Sequence, residues 1–254
     1  MDYLLVIFLG AIFGSFANVC IYRLPVNRNI SKGRSFCPKC KKKINWFDNI
    51  PLLSYLFLNG KCRKCKKKIS AQYPLVEVVS TFLFFLIYYY FGLSIDALLL
   101  TILGFFLLII FFIDLEHYII PDELTFPLMI IGFLKSFDPN LNTAIFPNFV
   151  NSMIGGIFGY FLIWSIIFFY KQVRKKEGMG LGDAKLLAVA GFWFGWVSVP
   201  LIIFLSSSIG LLSVLPSLLT KKRKLSSQIP FGPYIVVSMV IYFYFSDQLK
   251  AFIF

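Results

Sequence analysis

ALLLTILGFFLLIIFFID, residues 97–114, decides the fold. Its first seventeen residues carry no charge before Asp114 closes the run, and roughly 20 such residues in a helix cross about 30 Å of hydrocarbon. The pattern recurs along the chain. Residues 3–22, 149–170, 186–220 and 225–246 also lack Asp, Glu, Lys and Arg, and residues 75–91 carry only Glu77. Block 186–220 is too long for one crossing and is expected to break between Gly195 and Pro200, because both residue types interrupt helices. Segment 123–137 contains Pro127 and Lys135, yet a return crossing is needed before residue 149. The expectation is an all-α polytopic membrane protein with about eight transmembrane helices. In a chain of 254 residues, 58% hydrophobic content and a mean hydropathy of +0.78 exceed what a soluble core requires. A cleaved signal peptide fits the first block poorly: Asp2 stands where a basic leader belongs, and Arg23 comes only after the apolar run.

Lys and Arg concentrate in cytosolic loops. Residues 23–74 hold 14 of the 25 basic residues against a single acid, Asp48. With that loop inside, about eight crossings put 23 of the 25 on one side, including Lys176 and the run Lys221, Lys222, Arg223, Lys224. Lys135 and Lys250 fall outside with Asp2, Asp96, Asp138 and Asp247, so both termini are expected to face away from the cytosol. The net charge of +13 lies beside the spans, where anionic lipid accounts for it. Membrane lipids, not nucleic acid, are therefore the expected polyanionic partner. The chain divides into a first transmembrane helix (1–22), a cytosolic loop (23–74) and a membrane-embedded region (75–254), with no repeat of 20 to 50 residues apparent.

A loop of that size buries little core and needs a staple. Cys37 and Cys40 in CPKC, and Cys62 and Cys65 in CRKC, stand 21 residues apart. Two such turns facing each other offer four thiolates in the tetrahedral set that structural zinc takes. A reducing cytosol disfavours disulfides, and nearby lysines favour thiolate. Iron–sulfur ligation and redox pairing are the alternatives. Cys20, inside the first span, reads as packing.

Asp114 meets the cytosolic surface at the end of its span, where an ionisable group is a functional candidate; it could equally be the first solvated residue. Asp122 follows Pro121 and reads as a helix N-cap. Asp183 lies in GMGLGDAKLL (178–187), where Gly180 and Gly182 allow close approach of backbone or ligand. The topology brings both aspartates to one face. Two carboxyls sharing a site hold one proton near neutrality, so one can activate water while its protonated partner polarises a peptide carbonyl. His117 is the only histidine; a zinc hydrolase with several His ligands cannot be built, and no serine stands out to complete a Ser–His triad. Two other classes compete: a polytopic transporter in which intramembrane acids relay protons, and a membrane-anchored zinc module that recruits a partner.

Five ordered stretches resemble the prepilin peptidases, also called type IV leader peptidases: FGSFANVCIYRLP (13–25), the cysteine loop 35–77, IDLEHYIIPDELT (113–125), GMGLGDAKL (178–186) and IPFGPYI (229–235). The resemblance implies a GxGD-type aspartic protease, a form shared with presenilin-type intramembrane proteases, carrying a small zinc-ribbon-like cytosolic loop. Asp114 and Asp183 match the catalytic positions, with Asp122, Gly180 and Gly182 supporting. Cys37, Cys40, Cys62 and Cys65 match the zinc ligands. It further implies removal of leaders from prepilins and pseudopilins at the cytosolic face of the bacterial inner membrane. Methylation of the new N-terminus from S-adenosylmethionine follows in the bifunctional members, which the retained cysteine loop favours. No Gly-rich strand–helix turn for that cofactor is visible; Asn18, Arg23, Gly60 and Lys61 are the candidates near it. Glu77, Glu116 and Glu123 are candidates for holding a basic leader.

Overall fold

The computed structural model describes residues 2–31, 33, 35–141, 145–175, 179–219 and 229–253. Lys176 and the basic run 221–224, used above to orient the chain, lie outside them, as does Gly178. Nine α-helices form among the described residues: α1 (Asp2–Arg23), α2 (Leu53–Phe57), α3 (Gln72–Phe91), α4 (Ile95–His117), α5 (Asp122–Leu134), α6 (Phe149–Arg174), α7 (Leu181–Phe194), α8 (Ser198–Leu219) and α9 (Gly232–Ile253). Five are long and apolar enough to cross a membrane: α1, α3, α4, α6 and α8. The protein is thus an all-helical, multi-pass membrane protein. Helices α5 and α7 have only 13 and 14 residues, about 20 Å each at 1.5 Å per residue. Helix α5 continues through Pro127, and the long block 186–220 breaks at Gly195, whose φ of +84° closes α7.

Packing sorts the chain into two compact units, 1–109 and 110–254, with the division inside α4.

In the first unit, α1 lies against α3 at glycine distance. A Cβ on Gly10 would sit 2.7 Å from the Thr81 Cα, and one on Gly14 would sit 2.6 Å from the Glu77 Cα. This small-xxx-small spacing lets backbones touch where lipid offers no hydrophobic drive for association. The buried Ser80 hydroxyl donates to the Gly10 carbonyl at 2.9 Å. The loop between these helices contains two near-identical turns. In the first, Lys41 N–H donates to the Cys37 carbonyl, Cys37 N–H donates to Lys42, and Lys41 has a φ of +57°. In the second, Lys66 donates to Cys62, Cys62 donates to Lys67, and Lys66 also has a φ of +57°. The loop is therefore a short repeat at a 25-residue offset, CPKCKKKI (37–44) against CRKCKKKI (62–69). Only these eight residues recur, so the loop is not built of whole repeating units.

In the second unit α7 is the centre. Asp183, Ala184, Leu186 to Gly191 and Trp193 are all buried, and a helix apolar on every side belongs inside protein. Its closest partner is α6. A Cβ on Gly191 would lie 2.0 Å from the Gly155 carbonyl oxygen, and one on Gly159 would lie 2.6 Å from that of Leu187. Trp193 Nε1 donates to the Leu128 carbonyl at 2.8 Å, tying α7 to α5.

Candidate active site

Asp114 sits one turn before the end of α4, not at its last residue. Tyr118 then adopts a φ of +59° and donates its N–H to the Asp114 carbonyl, which stops the helix. Ile119 and Ile120 lead to Pro121, whose φ of −66° occupies the N-cap position of α5. Asp122 is the first residue inside α5, so the N-cap expected of it falls to Pro121. Asp183 lies in the first turn of α7, and its N–H donates to the Gly180 carbonyl at 3.2 Å.

The two aspartates come together. Both are buried, at 4% and 8% exposure, and Ile120 packs against both Gly182, next to Asp183, and Gly232, next to the Asp114 carboxyl. A third element completes the group. The Gly232 N–H, at the start of α9, donates to Asp114 Oδ2 at 2.9 Å across 118 residues of sequence. A Cβ on Gly232 would fall 2.7 Å from that oxygen, so only glycine allows the approach. The quoted stretch 229–235 contains this residue, but nothing local marks its N–H as a donor to Asp114.

The two motif glycines differ. A Cβ on Gly182 would meet the Ile120 Cβ at 2.9 Å, whereas one on Gly180 would find Asp183 Oδ2 at 3.7 Å and the Gly182 backbone nitrogen at 3.9 Å. Gly182 therefore makes room for Ile120, not for a ligand, and Gly180 stands open beside the carboxyl. Ile120 also reaches Gly232, 3.1 Å from where its Cβ would stand, so one side chain wedges α7 and α9. Asp122 is half exposed and bonds Lys185 Nζ at 2.5 Å, while that ammonium lies 5.2 Å from the Phe126 ring centre. Its link is thus to the helix of Asp183, two residues along. Lys185 and Ile120 were not singled out from sequence.

Glu116, His117 and Glu123 are exposed, and His117 Nε2 lies 3.9 Å from the Glu116 carboxylate. Glu77 is different. It is 8% exposed, and its Oε2 accepts the Leu52 N–H at 2.7 Å. Leu52 has φ +59° and ψ −51°, with Leu53 N–H donating to the Pro51 carbonyl, the geometry of a strained γ-turn. Glu77 clamps the loop's turn to α3, which corrects its reading as a leader-holding acid.

The four cysteine Sγ atoms all lie within 4.8 Å of one another, with Cys37 and Cys65 3.9 Å apart. Ligands 2.3 Å from a tetrahedral zinc would be about 3.8 Å apart, so the set can hold a metal ion. The Cys65 N–H helps bring the Cys62 thiol down to about 7, while burial and the neighbouring thiols raise Cys65 to about 11, so the two thiols share their protons unequally. Arg63 grips Asp48 through Nε and Nη2 at 2.7 to 3.0 Å, pinning the 46–49 turn onto the second cysteine turn.

The residues considered for S-adenosylmethionine do not form a free cradle. Asn18 donates to the Tyr73 carbonyl, and Arg23 donates to the carbonyls of Asn29, Ile30 and Gly33. Gly60, with φ +65°, would place a Cβ 2.9 Å from the Tyr55 hydroxyl, and Lys61 is exposed. No methyl-transfer step is assigned to these four.

A family model described as the bacterial peptidase A24 N-terminal domain matches residues 8–91, and one described as the type IV leader peptidase family matches residues 101–215. A Pseudomonas aeruginosa protein named prepilin leader peptidase/N-methyltransferase is 35% identical, covering 96% of this chain and 90% of its own. Proteins of the same name from Neisseria gonorrhoeae (36%; 95% and 90% covered) and Klebsiella pneumoniae (40%; 78% and 87%) are also similar. No solved structure matches the chain.

Proposed function

The chain belongs to the type IV leader peptidase family, and on that premise we propose that Asp114 and Asp183 are the catalytic pair of a prepilin peptidase. The enzyme removes the leader peptide from prepilins and N-methylates the new N-terminus. Pseudopilins belong to the same substrate class. The observation that carries the site is the burial of both carboxyls around one side chain: Ile120 packs on Gly182, the residue before Asp183, and on Gly232, whose N–H donates to Asp114.

With one proton between the pair, the chemistry balances without a covalent intermediate. The Gly232 N–H donates to Asp114, which suits Asp114 to hold the negative charge; it takes a proton from water as the oxygen attacks the peptide carbonyl. Asp183 gives its proton to the carbonyl oxygen. Collapse of the tetrahedral species then breaks the C–N bond: the proton on Asp114 goes to the leaving amine, and a hydroxyl proton of the new carboxyl returns to Asp183, which restores the single proton of the pair. Ile120 and the Asp122–Lys185 pair position the two carboxyls, Gly182 accommodates Ile120, and Gly180 leaves the approach to Asp183 open. This is the GxGD form of aspartic protease.

Helices α1 and α3 to α9 make eight passes, with α7 short because protein surrounds it, and the aspartates face the cytosol at the bacterial inner membrane. The basic balance of the chain supports this side and pairs it with membrane lipids, not nucleic acid. Cys37, Cys40, Cys62 and Cys65 hold a structural zinc. S-adenosylmethionine is the methyl source for the second activity. The transporter alternative draws no support from the relatives quoted above.

Asp114→Asn and Asp183→Asn, each nearly isosteric, are expected to leave the protein inserted and to abolish leader removal. Incubation with a prepilin and mass spectrometry of the product reads this directly. Full-rate cleavage by either variant refutes the pair.

A further inference from the structure

The segment 46–57 lies between the two cysteine turns and is more apolar on its surface than a loop in water should be. Trp46 is 75% exposed, Leu56 68% and Phe57 82%, with Phe47 and Leu53 also open. Helix α2 is too short to bury them, and the γ-turn at Leu52, held by Glu77, fixes where α2 begins. Exposed apolar clusters of this kind mark a surface that something covers.

Charge identifies what. The lysines of both cysteine turns, within 39–43 and 61–68, are exposed and flank the segment on both sides in sequence. The loop's one acid, Asp48, is already engaged by Arg63. The stems are also constrained: the loop leaves one long apolar helix at Arg23 and enters another at Gln72. Trp, Phe and Leu flanked by lysines, tethered at both ends to membrane helices, match the composition that settles at the headgroup level of an anionic bilayer.

We propose that Trp46, Leu53, Leu56 and Phe57 insert into the anionic lipid surface next to the spans, with the flanking lysines on the phosphates, so that the cysteine loop is held down on the membrane. The loop then stays at the depth where a polypeptide end leaves the bilayer. This holds or fails independently of the aspartate assignment, which cleavage assays test.

Full-length protein labelled with 5-fluorotryptophan is reconstituted into nanodiscs of phosphatidylglycerol and phosphatidylcholine. The resonance missing in Trp46→Phe assigns that ring. A nitroxide on the lipid chain near the headgroup is expected to reduce its intensity at least twofold, while a water-soluble nitroxide leaves it largely intact. Discs of phosphatidylcholine alone are expected to weaken the lipid effect. Quenching by the soluble reagent only, or protection from both because protein covers the ring, overturns the proposal, as does equal quenching without anionic lipid.

Discussion

Substituting Gly182 with alanine separates packing from ligand access at the aspartate motif. The added methyl would stand 2.9 Å from the Ile120 Cβ, whereas carbon atoms settle at roughly 3.5–4.0 Å. The α7 start and the Ile120 segment must therefore part by roughly 0.6–1.1 Å. That movement is centred one residue from Asp183, and Ile120 also packs against Gly232, the donor to Asp114. A misplacement of about 1 Å in a catalytic group can cost on the order of 10²-fold, so Gly182→Ala is expected to lower kcat by roughly 30 to 100-fold with little change in KM. Gly180→Ala places its methyl 3.7 Å from Asp183 Oδ2, an ordinary contact, and is expected to stay within about threefold of the parent. Ile120→Ala in the Gly182→Ala background removes the collision and is expected to recover part of the lost rate, the non-additivity that contacting residues show. Timed cleavage of a purified prepilin reads all four proteins, and thermal melting in detergent confirms that each is folded. Two results would refute the reasoning: Gly180→Ala proving the more damaging of the two, or the double variant recovering nothing. The first would mean that the open glycine is kept for the peptide.

Three further outcomes follow from the geometry. Asp122→Asn and Lys185→Met each break an ion pair whose acid is half exposed, so stability should fall by at most about 1 kcal/mol, while cleavage drops several-fold through the α7 start; unchanged kcat in both would remove the pair from the positioning role. Glu77→Leu leaves the Leu52 N–H without its buried acceptor, a cost of about 1–3 kcal/mol, and hydrogen exchange at residues 50–58 should rise while Glu77→Gln stays near the parent. Elemental analysis should find one zinc per chain, and its chelation should unfold the cysteine loop because metal binding there is folding energy; protease sensitivity confined to 23–74 reads this, and a folded, metal-free loop contradicts it.

Residues 97–114 and their counterparts declared the membrane helices by composition alone, because the hydrocarbon's thickness and its intolerance of charge act on each segment separately. The cysteine pairs were equally legible as a set able to hold a metal ion, since such ligation depends on a two-residue gap within each turn, and the motif around Asp183 stood out by its glycines. What those glycines do was not legible. Gly182 answers to Ile120, Gly232 to Asp114, and Gly191 to the Gly155 carbonyl, partners that lie 36 to 118 residues away in sequence. Glu77 looked like a free acid on a span until Leu52 was seen to donate to it. Asp122 looked like a cap until Pro121 took that place and Lys185 took its charge. Sequence determines which stretches become helices, because that choice is made by neighbours along the chain. Which backbone N–H reaches which carboxyl is settled only when helices close to glycine distance, a contact between distant surfaces that no local pattern records.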